Sequence, residues 1–89
     1  MANGSVVVHD IDMLESYAGV LDAKRQELEE LYGVLCTETE NQGGNWQDPQ
    51  YDHLQDLVER YSASARGQLG ELDESIGYIR ALIRKLRDL

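Results

Sequence analysis

The sequence predicts an all-α protein: two long antiparallel helices, about 11–41 and 49–89, forming one helical-hairpin domain over 1–89 that assembles into a four-helix-bundle dimer. Three observations predict it. Leu14, Leu21, Leu28 and Leu35 recur every seven residues, as do Tyr51, Val58, Ala65, Leu72, Ile79 and Leu86, which is the spacing of an apolar stripe along a helix. Between the two series stands Gly43-Gly44-Asn45-Trp46-Gln47-Asp48-Pro49, with the only Trp and the only Pro of the chain. Finally, 89 residues with a single Cys36 make a small core without an internal disulfide, and folds of this size commonly gain stability from a partner subunit.

Met1 to Ser5 is small and polar and is expected to fray. Val6, Val7 and Val8 are β-branched and favour an extended segment against an apolar surface, so residues 1–9 form an extended or frayed N-terminus. Asp10 can cap the first helix, and Asp12 with Glu15 makes a pair resembling a capping box. Along this helix Tyr17 and Leu31 interleave with the leucine row. Lys24 and Arg25 interrupt the stripe, with stems that can lie along it while the charges reach water. Glu38, Glu40 and Asn41 stand where the helix dipole disfavours acids, so the last turn is expected to fray.

Residues 42–48 form the turn. Gly43 and Gly44 are expected to end the first helix in backbone conformations closed to other residues. Asp48 and Pro49 read as N-cap and first position of the second helix, where a missing N–H does no harm. In that helix Leu54 and Tyr61 lie beside the Tyr51 series, and Leu69, Ile76 and Ile83 widen the stripe to about three positions per heptad, as in a multi-helix bundle. The expected bundle core is Leu14, Leu21, Leu28, Leu35, Tyr51, Leu54, Val58, Tyr61, Leu69, Leu72, Ile76 and Ile79. Folding about Asn45 pairs Leu35 with Leu54 or Gln55, Leu28 with Tyr61, Leu21 with Leu69 and Leu14 with Ile76. The second helix, at about 1.5 Å per residue, is the longer, so its C-terminal turns should overhang the first unless Val6 to Val8 cover them. The tyrosines are expected to bury their rings and keep their hydroxyls wet.

The back of the second helix reads Ala63, Gly67, Gly70, Glu74, Gly77, Ala81, and Gly19, Ala23 and Gly33 repeat the theme on the first. Each helical Gly costs about 1 kcal/mol relative to Ala. Two readings follow: a second interface at Gly67, Gly70 and Gly77 on which a partner helix packs closely, or an ordinary solvated face.

The net charge of −9 argues against nucleic acid and anionic membrane surfaces, which are bound chiefly by clustered Lys and Arg. Arg80, Arg84, Lys85 and Arg87 suit the negative end of a helix dipole. No apolar run approaches a membrane span and no signal peptide is visible. His9 with Asp10 and Asp12, and His53 with Asp52 and Asp56, read as solvated helix starts and not as metal ligands. Cys36 reads as a small buried hydrophobe. No nucleophile or phosphate-loop context is present, so neither catalytic residues, nor a cofactor, nor a bound metal is expected.

The ordered series of valine stretch, acidic helix start at Asp10 and Asp12, long first helix, Gly43-Gly44-Asn45-Trp46 turn and long second helix resembles the WXG family of early-secreted-antigen-like proteins, the helical hairpins of type VII secretion. The family motif is Trp-x-Gly, and here Asp48 stands in place of the glycine. The resemblance implies a protein–protein interaction module acting as a secreted substrate, or as an export adaptor or chaperone. Its partners would be a second copy or a related hairpin, with or without a larger effector. It also implies a cytoplasmic protein before export, leaving without a cleaved signal peptide, with Trp46 at one end of the bundle beside the partner's signal. The family's export signal is a Tyr with an acid four residues on, in a flexible tail. Tyr17, Tyr32, Tyr51, Tyr61 and Tyr78 are followed there by Leu21, Cys36, Gln55, Ala65 and Leu82, and the heptads run to Leu89, so a partner would have to supply that signal. A cytosolic structural or regulatory helical-bundle subunit unrelated to secretion is the alternative.

Overall fold

A computed structural model describes residues 5–89. Helix α1 spans Ile11–Asn41, a single 3-10 turn follows over Gln42–Gly44, and helix α2 spans Pro49–Arg87. Asp10 caps α1 by accepting the Met13 N–H at 3.0 Å. Asp48 caps α2 by accepting the Gln50 N–H at 2.9 Å, with Pro49 opening the helix. Both starts lie where the sequence puts them. The pairing of Asp12 with Glu15 is not a capping box, because both carboxylates turn instead to Arg87, at 2.8 and 3.2 Å. The first helix runs on through Glu38 and Glu40 to Asn41, its end continued by the 3-10 turn. The fraying expected of Met1 to Ser5 falls, apart from exposed Ser5, outside the described residues; Val6 and Val7 are exposed, whereas Val8 is half-buried in a pocket shared with Ile11 and Arg87.

The two helices pack antiparallel against each other, and among the described residues no third long element joins them. The molecule measures 62 × 27 × 15 Å with a radius of gyration of 19.4 Å, against about 12 Å for a compact domain of this length. It is one helix thick, so each helix buries only the strip facing its neighbour.

On α1 that strip follows the expected row through Leu14 and Leu21 and leaves it beyond Arg25. Its most covered residues are Ala18, which is fully buried, and the half-buried Ile11, Leu14, Leu21, Arg25, Tyr32 and Cys36. On α2 they are Tyr51, Val58, Ser62, Ala65, Leu69, Ile76 and Ile83. Leu28, Leu35, Leu54 and Tyr61, four of the residues assigned to the bundle core, are exposed in the hairpin, as are Leu31 at 64% and Tyr17. Successive residues on a helix are about 100° apart, and Tyr17, Leu31, Leu35 and Tyr61 each precede a seam residue by one. They therefore lie on the flank of the contact.

The register also differs from a fold about Asn45. Cys36 Sγ meets Ser62 Oγ at 2.9 Å and Arg25 Nε approaches Asp73 Oδ1 at 2.9 Å, two contacts equally far apart on both helices. Leu35 and Leu28 therefore do not face Leu54 and Tyr61, nor do Leu21 and Leu14 face Leu69 and Ile76. The reason is the bend: the 3-10 turn carries the chain onward before it reverses, so the return leg begins about two turns later. The extra length of α2 is thereby spent beside the 3-10 turn, and Arg87 at its far end reaches the first turn of α1 without an overhang.

Ion pairs tie one side of the seam. Arg87 meets Asp12 and Glu15, Arg80 meets Asp22 at 3.4 Å, and Arg25 lies among Asp73, Glu29 and Asp22. Arg25 donates a hydrogen bond to Glu29 at 2.9 Å, whereas Asp73 sits close to its Nε but off the N–H direction. Its side chain is only 16% exposed, so it does not carry its charge to open water as Lys24 does. The Glu29 hydrogen bond raises the Arg25 pKa further above its ordinary value, against desolvation and together with the charges of Asp73, Glu29 and Asp22.

A cation whose folded pKa is raised contributes stability at every pH below its unfolded value and loses it only as pH rises through the higher folded one. The Arg25 cluster should thus respond to salt and not, through Arg25, to pH in the neutral range. Raising NaCl from about 0.1 to about 1 M, which shortens the screening length severalfold, should lower the Tm of the native chain more than that of an Arg25→Met/Asp73→Leu variant. Equal shifts in thermal unfolding would show that the cluster contributes nothing to stability.

Candidate functional site

The bend is the most structured polar site. Gly43 and Gly44 do not take the left-handed conformation expected of them, since no described glycine has positive φ. Helical geometry persists instead through the 3-10 turn, with the Asn45 and Trp46 N–H groups both donating to the Gln42 carbonyl. Gly43 suits the turn for a different reason: a Cβ there would stand 3.1 Å from the Tyr51 hydroxyl oxygen, which would have to give by a few tenths of an ångström. That hydroxyl donates at 2.8 Å to the Thr39 carbonyl, which also accepts the Gln42 N–H at the end of α1. Tyr51 is buried, so its hydroxyl is satisfied by backbone and not by water as expected.

Trp46 lies edge-on to Tyr51, with ring centroids 5.7 Å apart and planes at 67°. Its indole N–H donates to Asp48 Oδ2 at 3.3 Å, while Asp48 Oδ1 holds the Gln50 N–H. One carboxylate therefore starts α2 and holds the indole. Trp46 remains 38% exposed, a partly covered aromatic face at the tip of a rod. Asn45 Nδ2 closes the outer side of the turn on Gln42 Oε1 at 2.9 Å.

Along the rod, the two long sides differ. The flank that carries Tyr17, Leu31, Leu35, Tyr61 and Leu82 precedes the seam by one residue on each helix. Because the helices are antiparallel, the same rotational offset puts both rows on one side of the hairpin. Gly19, Gly33, Gly70 and Gly77 each follow a covered residue by one (Ala18, Tyr32, Leu69, Ile76) and so share the other side with Arg66 and Arg84. A Cβ at Gly19, Gly33, Gly67, Gly70 or Gly77 would meet nothing within 4 Å, so within the chain no close packing requires them. A groove of about 580 Å³ runs along this side between Arg25, Gly33, Cys36, Ser62, Gly70 and Asp73. Its floor holds the Cys36–Ser62 contact, in which Ser62 is buried. Ser62 is the seam residue that heptad reading missed, since a serine gives no hydropathy signal.

Among the described residues no three His, Cys, Asp or Glu side chains converge as metal ligands, and no helix is long and apolar enough to cross a membrane. His9 and His53 are exposed. Comparison with family models, curated proteins and solved structures finds no match to this chain.

Two outcomes test the site. Tyr51→Phe removes one of the two donors to the Thr39 carbonyl and should cost about 1 kcal/mol in urea unfolding, and no loss would mean that the hydroxyl contributes nothing net to stability. Gly70→Ala and Gly77→Ala should each stabilise by about 1 kcal/mol if that side is solvated. A loss of stability at either position would instead show that another chain's surface lies against it.

Proposed function

We propose that this hairpin is a protein–protein interaction module of a type VII, WXG-like secretion system, working as a secreted substrate or as the export adaptor of a partner. In this reading it joins a second hairpin, identical or related, in an antiparallel four-helix bundle. The observation that carries the reading is the one-sided apolar face: two helices long enough to bury a wide stripe leave Leu28, Leu31, Leu35, Leu54 and Tyr61 exposed. A contiguous exposed apolar surface of this kind marks an association site. Burying it against a second hairpin completes a core like that of a four-helix bundle, with Trp46 at the exposed end for a further contact. The chain travels before export as a cytoplasmic complex, and its partner supplies the export signal.

A second reading is favoured by one observation, the hold of Asp48 and Tyr51 on Trp46. An indole tied to its own chain can serve stability alone, and the module would then be a cytosolic structural or regulatory bundle subunit. The two readings differ in Trp46→Ala. Under the first, the variant keeps its helical circular dichroism and its oligomeric mass but disappears from culture supernatant, as the native chain does when the secretion ATPase is deleted. Under the second, the native chain never reaches the supernatant and the substitution only lowers Tm.

A further inference from the structure

The ion-paired side of the hairpin carries the same cleft twice, fourteen residues apart on each helix, and we infer that the two clefts dock one acidic amphipathic helix of another protein. Each cleft receives one apolar side chain of that helix, the two being two heptads apart. The interface lies on the side away from the exposed leucines and goes beyond the bundle reading without resting on it.

The first support is the recurrence. Besides the groove of about 580 Å³ near the bend, one of about 430 Å³ lies on the same side towards the open end. Each residue lining the smaller cleft has a counterpart in the larger one fourteen positions away, counted in opposite directions on the two antiparallel helices. Gly19 corresponds to Gly33, Arg80 to Arg66, and Glu15 to Glu29. Ile83 corresponds to Leu69, and both are buried, forming the floors. Two heptads return a helix to the same face, so geometry alone accounts for the recurrence of position. It does not account for the recurrence of a glycine wall, an aliphatic floor and an arginine rim. Together these make a hole for one apolar knob.

The second is charge. In both clefts the acid is already engaged, Glu29 by Arg25 and Glu15 by Arg87. The cations are less so: Arg66 and Arg84 make no ion pair among the described residues, and Arg80 reaches only Asp22, at 3.4 Å. A chain of net charge −9 thus presents unengaged arginines at these rims, and the complementary partner carries acids beside its knobs.

The third is distance. At about 1.5 Å per residue the clefts stand about 21 Å apart, which a helix spans and a small molecule does not. A second copy fits poorly, because Tyr17, Leu28, Leu31, Leu35 and Tyr61 lie on the opposite flank. Bringing that flank here would make a heterologous contact, which does not close as a pair.

The test uses the full chain and a fluorescein-labelled synthetic helix of about 25 residues, rich in Ala and Glu, with two leucines about fourteen residues apart. Fluorescence anisotropy should show binding, weakened about tenfold when the leucines are brought one turn closer, about eleven apart. Gly33→Leu fills one cleft and Arg66→Glu reverses its rim, and each should weaken binding about tenfold. Circular dichroism should not change, since a Cβ at Gly33 meets nothing within 4 Å. Leu31→Glu, on the opposite flank, should leave binding as it is. Absence of binding, or equal affinity for both leucine spacings, overturns the inference. So does loss of binding in Leu31→Glu with none in Gly33→Leu, which would put the peptide on the bundle face. A change in the sedimentation mass of the chain alone on Gly33→Leu would make the occupant a second copy and overturn it likewise. None of these outcomes decides the secretion reading, which is tested by export.

Discussion

Each helix of this protein has one neighbour, and that constraint governs everything else about the chain. In a bundle a helix with a wide apolar stripe is covered from two sides. Here the molecule is 15 Å through its thinnest dimension, so α1 and α2 choose one strip each and leave the rest. The strip on α1 holds Ile11, Leu14, Ala18 and Leu21 in its first half and the polar-tipped Arg25, Tyr32 and Cys36 in its second. The bulkier leucines at 28, 31 and 35 are turned to the flank. The hairpin therefore buries Tyr51, Leu69, Ile76 and Ile83 of α2 but leaves several of its large apolar side chains exposed.

The seam's polar members explain why the strip sits where it does. Burying Ser62 without a partner would leave an unsatisfied hydroxyl, and Cys36 supplies that partner at 2.9 Å. Arg25 could not lie under the leucines without stranding its charge, but at the edge of the seam it meets Asp73, Asp22 and Glu29. Together with Arg80–Asp22 and Arg87 on Asp12 and Glu15, these pairs lie on the side of the glycines. Exposed pairs of this kind contribute little energy each. Their effect is selective, since a shift of one turn in register would separate several of them at once.

At the bend, a single acid resolves two demands that come from different parts of the chain. Helix α2 needs an acceptor at its first turn, and the indole of Trp46 needs one for its N–H. Asp48 has two oxygens and serves both, and Tyr51 then packs against the indole while its hydroxyl reaches back to Thr39. A glycine at position 48 would provide neither acceptor. The turn is thus cross-linked by side chains to the end of α1 and the start of α2, which fixes how far the chain travels before it reverses and so sets the register of the whole seam.

How much of this was legible in the sequence follows from which forces are local. The two helices, their caps at Asp10 and Asp48, and the break around Gly43 to Asp48 were readable because capping, proline geometry and apolar periodicity act within a few residues. Most of the strip on α2 was readable too, because Tyr51, Val58, Ala65, Leu69 and Ile76 are both apolar and in step. The strip on α1 was readable through Leu14 and Leu21 but not beyond Arg25, because periodicity reports how many apolar residues share a face and not which of two adjacent rows meets the other helix. That choice depends on fit across the contact: Ser62 against Cys36, Asp73 beside Arg25, Tyr51 beneath Gly43. Only the tertiary structure brings those residues together, and it thereby decided which leucines are core to the hairpin and which remain exposed.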